Sequence, residues 1–330
     1  MITDEEIKKI FEWADEYSIQ GKRYRNYKWG IDVEDNEDIE DIRNGIPRDK
    51  ELLLKITHLN LYRNEIEYIP KEFAKLENIK VLYLVFNEIK EIKNIPKSVK
   101  KLYLNSNEIE EISEEVLELE NLEILELSYN KIKEIKNIPK SVKELYLIYN
   151  GIEEISEEML ELENLEILYL GSNEIEEIKN LPKSVKKLYL NSNEIKEIKN
   201  IPKNTKELYL YYNEIEEISE EMLELENLEI LELIDNEIKE IKNLPKNLKR
   251  LMVSDGVKIP KDLILQCPKI DLVEIRYNST FYNVDGMDFY LVGYNKDIGI
   301  LVRTSNIEKQ TPPKPNHKKP FKNFLYKGDK

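Results

Sequence analysis

Asparagines at positions 64, 87, 107, 130, 150, 173, 193, 213 and 236 recur at intervals of 20 or 23 residues, and no other feature restricts the fold as tightly. Around each runs one template, apolar-x-x-apolar-x-apolar-x-x-Asn-x-apolar. It is seen in Leu165, Leu168, Leu170, Asn173 and Ile175, and again in Val185, Leu188, Leu190, Asn193 and Ile195. Repetition on that scale is the mark of a solenoid, in which one unit cannot bury its apolar side alone but stacked units share a continuous core. The template begins near residue 56 and decays after Asn236. Gly256 stands where an asparagine is due, and Ile270, Val273, Ile275 and Asn278 make a last, weak unit.

The two lengths differ in how the chain returns to the next unit. In every unit the Leu-x-Leu stretch predicts a short strand with alternate side chains inward, and successive strands stack as a parallel sheet along the inner curve. Longer units return through stretches such as Ser156-Glu157-Glu158-Met159-Leu160, where a serine N-cap and glutamates in the first turn predict a short helix. Shorter units return through Asn-Ile-Pro-Lys-Ser or Asn-Leu-Pro-Lys-Ser, whose proline predicts extended or tight-turn backbone. The stretch 110–150 nearly repeats 153–193, as duplication of a double unit would leave it.

At the amino end Thr3 and Glu6 form a capping-box pair ahead of Ile7, Ile10, Phe11 and Ala14 at helical spacing. This predicts an amphipathic helix covering the open end of the stack, with the basic-aromatic run 22–28 and the acidic run 32–41 behind it. After the last unit, 280–284, an Asp285-Gly286 turn, 287–292 and 298–304 alternate apolar and polar residues as a β-meander does. The stretch 306–330, rich in proline and lysine, has too little apolar content to fold alone and reads as a flexible tail.

The repeat residues of 46–278 resemble bacterial leucine-rich-repeat proteins. The 20-residue units, as in Leu181-Pro182-Lys183 through Asn193, are similar to the short repeats of type III secretion effectors, and the 23-residue units to ordinary intracellular leucine-rich repeats. The resemblance implies an α/β fold, a right-handed leucine-rich-repeat solenoid (horseshoe) with a parallel concave sheet. The expected divisions are a helical cap at 1–50, about eleven repeats at 51–278, a β cap at 279–305 and a basic tail at 306–330. Such families mostly bind proteins on the concave sheet. Some effectors of this kind carry a ubiquitin-ligase domain with a catalytic cysteine. Here the single cysteine, Cys267, sits inside the decaying repeats and reads as a small buried hydrophobe.

The template places its fifth position on the concave face, because its neighbours at four and six point inward. That position reads Asn60, Tyr83, Tyr103, Glu126, Tyr146, Tyr169, Tyr189, Tyr209, Glu232, Met252 and Glu274. Position three adds Val81, Ile124, Ile167 and Ile230 in long units, and Tyr62, Phe86, Tyr129, Tyr149, Tyr211 and Tyr212 flank the stripe at the next two outward or bend positions. Cross-strand stacking alone can place tyrosines this way. An aromatic-aliphatic patch is also the common mark of an interaction site. The expected protein-binding residues are therefore Tyr83, Tyr103, Glu126, Tyr146, Tyr169, Tyr189, Tyr209, Ile124, Ile167, Ile230, Tyr211 and Tyr212. Strands about 4.8 Å apart give an inner surface roughly 50 Å long, which suits a protein or peptide.

Several other functions are disfavoured. A net charge of −16, with seven lysines confined to 305–330, leaves an acidic body that repels phosphate backbones. The acidic run lacks the glycine and terminal glutamate of an EF-hand, and His58, His317 and Cys267 cannot build a zinc site or a triad. No glycine-rich phosphate loop, apolar membrane span or cleavable-signal pattern is present, and one cysteine leaves no disulfide framework. We expect a monomeric cytoplasmic module without cofactor, metal or catalytic residues, recruiting a protein or peptide. The alternatives are an effector exported without a cleavable signal that uses the same surface on a host protein, and a structural spacer.

Overall fold

The structure, a computed structural model, describes residues 2–19, 22–23, 43–254, 256–260, 263–276, 289–295 and 298–303. Most of the 22–28 run, the acidic run, Asn278, the 280–284 strand, the Asp285-Gly286 turn and the basic tail lie outside the described residues. The chain divides into two compact units, Met1–Glu174 and Ile175–Lys330.

The first unit opens with α1 (Asp4–Glu16), capped as expected: Thr3 Oγ1 accepts the Glu6 N–H, and the Glu6 carboxylate accepts the Thr3 N–H at 2.9 Å. Two-residue strands β1 (Lys22–Arg23) and β2 (Arg43–Asn44) pair antiparallel, and the one-turn helix α2 (Lys50–Leu53) follows. Then come β3 (His58–Asn60), β4 (Val81–Tyr83), β5 (Lys101–Tyr103), β6 (Ile124–Glu126), β7 (Glu144–Tyr146) and β8 (Ile167–Tyr169). From β2 to β8 each strand pairs in parallel with the next, and Leu59, Leu82, Leu102, Leu125, Leu145 and Leu168 sit side by side in one register row. All six leucines are fully buried. That row, with the leucines two positions on and the isoleucines of the return segments, is the core of the unit.

The second unit runs β9 (Lys187–Tyr189), β10 (Glu207–Tyr209), β11 (Ile230–Leu233), β12 (Arg250–Ser254), α3 (Leu263–Gln266), β13 (Leu272–Arg276), β14 (Phe289–Asn295) and β15 (Ile298–Arg303). From β9 to β13 the pairing is parallel. It reverses at the end, where β15 lies antiparallel to both β13 and β14. The last two stretches of the expected meander, 287–292 and 298–304, are found as the antiparallel pair β14 and β15.

The asparagines form a ladder inside each unit. Asn87 donates from Nδ2 to the carbonyls of Leu61 and Leu84, both at 2.9 Å, and accepts the Ile66 N–H at Oδ1. Asn107, Asn130 and Asn173 repeat this arrangement in the first unit, and Asn213 and Asn236 in the second. An amide suits the place because it both donates and accepts, so it pairs backbone groups that the bend leaves facing the interior.

On the return side the prediction needs one correction. The segments after Ser113, Ser156 and Ser219 are five-residue 3₁₀ turns, Glu114–Glu118, Glu157–Glu161 and Glu220–Glu224. The serine does not cap them. Its hydroxyl instead donates to a carbonyl of the preceding repeat, that of Ile92, Ile135 or Ile198. The bond between repeats replaces the local cap because the preceding layer presents a carbonyl within reach of the hydroxyl.

A second asparagine series supports this side. Asn94, Asn137, Asn200 and Asn243 adopt left-handed backbone conformation and donate to the carbonyls of Ile69, Ile112, Ile178 and Ile218. Asparagine is among the few residues other than glycine that visit this region readily. Lys97–Glu118, Lys140–Glu161 and Lys203–Glu224 then tie each proline-lysine return to the following 3₁₀ turn at 2.7–2.8 Å. These pairs are exposed and individually worth little.

The amino-terminal helix docks as a cap. Ile7, Ile10, Trp13 and Ala14 are buried, Trp13 Nε1 donates to the Tyr68 carbonyl at 3.0 Å, and Lys75 grips Glu6 at 2.6 Å.

Candidate functional site

The face of the sheet opposite the leucine row carries positions three and five of each strand. In the first unit these are Val81 and Tyr83, Lys101 and Tyr103, Ile124 and Glu126, Glu144 and Tyr146, and Ile167 and Tyr169. In the second they are Lys187 and Tyr189, Glu207 and Tyr209, and Ile230 and Glu232. Parallel in-register pairing sets like positions beside one another, so Tyr83 adjoins Tyr103, Tyr146 adjoins Tyr169 and Tyr189 adjoins Tyr209.

The rings use that adjacency. Tyr83 and Tyr103 stack at 4.7 Å between centroids and 8° between planes, Tyr146 and Tyr169 at 4.6 Å and 13°, and Tyr189 and Tyr209 at 4.3 Å and 5°. Strand spacing is close to ring-stacking distance, so tyrosines in one row lie face to face rather than standing apart in water. Most are half-buried, and Tyr103 is buried at 7% exposure in a small cluster with Val81 and Val85 against which Tyr62, Tyr83 and Ile124 pack. The rings of position five are therefore not equally exposed along the face. Burial also raises the hydroxyl pKa of Tyr103 and Tyr146, and that of Tyr209 to about 12.

The aromatics that do stand in solvent follow the strands, at position eight. Phe86, Tyr129 and Tyr149 in the first unit are 46%, 53% and 54% exposed, and Tyr212 in the second is 47% exposed. Each has positive φ, between 53° and 57°, a conformation that bulky residues rarely take. Tyr129 and Tyr149 stack at 4.8 Å, and Tyr211 meets Tyr212 edge-on at 5.8 Å. Of these, Tyr212 is among the expected contact residues, and Phe86, Tyr129 and Tyr149 are residues the template places beside the tyrosine stripe.

Charges on the face are distributed unevenly. Tyr146 Oη donates to Glu144 at 2.7 Å, and Tyr209 Oη to Glu207 at 3.2 Å. Glu207 also pairs with Lys187 at 3.0 Å, its register neighbour. Glu144 has Ile124 and Ile167 as register neighbours. Glu126, between Tyr103 and Tyr146, accepts the Ser128 N–H at 2.8 Å, and burial raises the pKa of its carboxyl.

Cys267 is fully buried, its Sγ lies 3.4 Å from the Pro245 carbonyl oxygen, and burial lifts its pKa to about 11. It is a packed side chain. Among the described residues no group of three or more His, Cys, Asp or Glu is arranged to hold a metal ion, and no helix is long and apolar enough to cross a membrane.

A parallel sheet with one short strand per turn, an asparagine ladder at each bend and a 3₁₀ or turn return defines the leucine-rich-repeat class. Comparison with known proteins agrees. A family model for leucine rich repeats in two copies matches residues 97–140 and 140–183. The chain is similar to a leucine-rich-repeat protein of Leptospira interrogans, with 28% identity, 68% of this chain and 67% of that one covered, and a TM-score of 0.52. It shares its fold with an internalin of Listeria monocytogenes, at 21% identity over 72% of this chain and 81% of that one, TM-score 0.52. It shares it also with a chain of the complex of latrophilin 3, Unc5D and the leucine-rich-repeat protein FLRT2, at 24% identity over 66% and 78%, TM-score 0.53. No curated protein matches the sequence significantly. The chain has the leucine-rich-repeat fold, and its residues 97–183 match that family's model.

Proposed function

We propose that this protein is a non-catalytic interaction module that binds a protein or peptide on the tyrosine-bearing strand face, through the stacked tyrosines and their neighbours Ile124, Ile167 and Ile230. The observation that carries the reading is the aromatic surface of each unit: half-buried stacked rings on the strands, with Phe86, Tyr129 and Tyr149 in solvent in the first unit and Tyr212 in the second. Aromatic rings that are already held by their neighbours lose little rotamer freedom on contact, which favours them as anchors. The leucine-rich-repeat class generally serves protein–protein association, and the assembly containing FLRT2 is one such use of the fold. In this reading the protein acts in the cytoplasm as a monomer, or in another cell after export, and residues 1–50 and 279–305 cover the ends of the array.

A second reading has an observation of its own. The tyrosine stacks bury much of the ring surface within the protein, as a structural spacer would use them.

Affinity capture from lysate with the full chain, compared with the double variant Tyr146→Ser and Tyr169→Ser, separates the two. The interaction reading predicts retained partners that the variant loses while its circular dichroism stays native. Identical retention by both proteins overturns it in favour of the spacer.

A further inference from the structure

Charge on the strand face of the first unit is unevenly compensated. Several carboxylates on or beside the strands are neutralised by lysines of the adjacent repeat. Glu123, which flanks β6, is held by Lys100 at 3.1 Å and Lys143 at 3.0 Å, and these bonds lower its pKa. In the second unit Lys187 neutralises Glu207, and Lys249 neutralises Glu229. Three residues beyond Glu123, Glu126 is held by Ser128, whose N–H donates to it at 2.8 Å, and Glu144 accepts the Tyr146 hydroxyl. Among the described residues neither glutamate forms an ion pair. Lys101 is near in register, opposite Ile124, yet it bridges to neither.

The two carboxylates sit in an aromatic setting. Glu126 has Tyr103 and Tyr146 as register neighbours, Glu144 is flanked by Ile124 and Ile167, and the stacked Tyr129 and Tyr149 follow the same two strands. A partly desolvated carboxylate without a cation is unfavourable, and a charged group brought by a partner would relieve it. Tyrosine faces beside it add a favourable site for the same charge.

We infer that this stretch of the first unit, centred on Glu126 and Glu144, receives a lysine or arginine side chain from a basic segment of a protein partner. The inference rests on the interaction reading above and names the partner's chemistry. Acid-rich surface alone does not carry it, since the chain is acidic throughout. What carries it is the contrast between Glu207, which Lys187 neutralises, and Glu144 in the equivalent position, which lies with Glu126 among tyrosines without an ion pair. The corresponding place in the second unit does not qualify, because Lys187 already fills the role at Glu207.

The test uses the full chain and a fluorescein-labelled hexa-arginine peptide as probe, with hexa-glutamate and hexa-serine peptides for comparison, read by fluorescence anisotropy at fixed salt. The combined variant Glu126→Gln and Glu144→Gln should weaken hexa-arginine binding by about tenfold or more, the equivalent of one lost charge contact. A control variant, Glu110→Gln with Glu153→Gln, removes the same charge from exposed positions outside the strands and should change affinity by less than about twofold, as diffuse electrostatics would. Thermal melts of both variants establish that they fold. Equal loss in the two variants, or equal affinity for the three peptides, overturns the inference. If the tyrosine variant loses captured partners while the double glutamine variant keeps its hexa-arginine affinity, the cation site is wrong and the interaction surface stands. If the tyrosine variant keeps its partners while hexa-arginine binding still depends on the two glutamates, the site is right and the tyrosine face is not the main anchor.

Discussion

Asn173 donates from Nδ2 to the backbone carbonyl of Leu147 at 2.9 Å, joining two repeats across 26 residues of chain. The same amide donates to Leu170 and accepts the Ile152 N–H, so one side chain serves three buried backbone groups. Asn173→Ala should therefore leave buried groups unpaired and cost about 1–3 kcal/mol. The loss should appear as a lower denaturation midpoint. An unchanged midpoint would mean that water or a relaxed bend replaces the amide.

Glu126 offers a prediction of opposite sign. Burial raises its folded-state pKa, so the fold prefers the protonated carboxyl and stability falls as pH rises from the ordinary carboxylate range through the raised value. Glu126→Gln should then raise the melting temperature at pH 7, by about 1 kcal/mol of stability, and the advantage should vanish at pH below the ordinary carboxylate range. Tyr103, Tyr146, Lys101 and Glu144 are the charged or titratable groups beside it in the pairing register, and none holds it as an ion pair. A variant less stable than the parent at pH 7 would show that the charged form is favoured after all.

At the amino end the sign is reversed. The Lys75 ammonium, followed by the Thr3 N–H, holds the Glu6 carboxyl at about 2. Docking of α1 should thus be intact at neutral pH and weaken as the pH falls from the ordinary carboxylate range toward 2. Lys75→Met should move the titration of Glu6 upward in an NMR pH series. A Glu6 that titrates as before in the variant would exclude Lys75 as the cause.

Cys267 should resist alkylation in the native state, since it is buried with its pKa raised to about 11. Mass spectrometry after iodoacetamide should find it unmodified until denaturant is added. Labelling of the folded protein would contradict the burial of Cys267.

Position eight is strained where it holds no glycine. Ser106, at φ 58°, makes no ring stack that a substitution would sacrifice. Ser106→Gly should stabilise the first unit by about 0.5–1 kcal/mol, the left-handed strain relieved less the entropy that glycine loses on folding. Chemical denaturation with an unchanged slope measures it.

Much of this molecule was legible in the order of residues. The Leu-x-Leu stretches are the strands, Thr3 and Glu6 do form the capping box, and the asparagines do pair backbone groups at the bends, because each of these depends on contacts within a few residues or on a template repeated in every layer. Trp13 was passed over although it lies on the same helix face as Ile10 and Ala14; its indole finds Tyr68, far along the chain. Ser156 has the local pattern of a cap, yet it and its counterparts Ser113 and Ser219 bond to the previous layer.

The amino-acid sequence by itself determined the repeat, the inward leucines and the side of each strand on which the tyrosines lie, since a period of two and a period of about twenty are properties of the chain alone. Only the tertiary structure decided which residues of neighbouring turns touch. Parallel register laid Tyr146 on Tyr169 and Lys187 beside Glu207, but put Ile124 and Ile167 beside Glu144. Those contacts join residues some twenty positions apart, and their identity depends on how turns of unequal length stack.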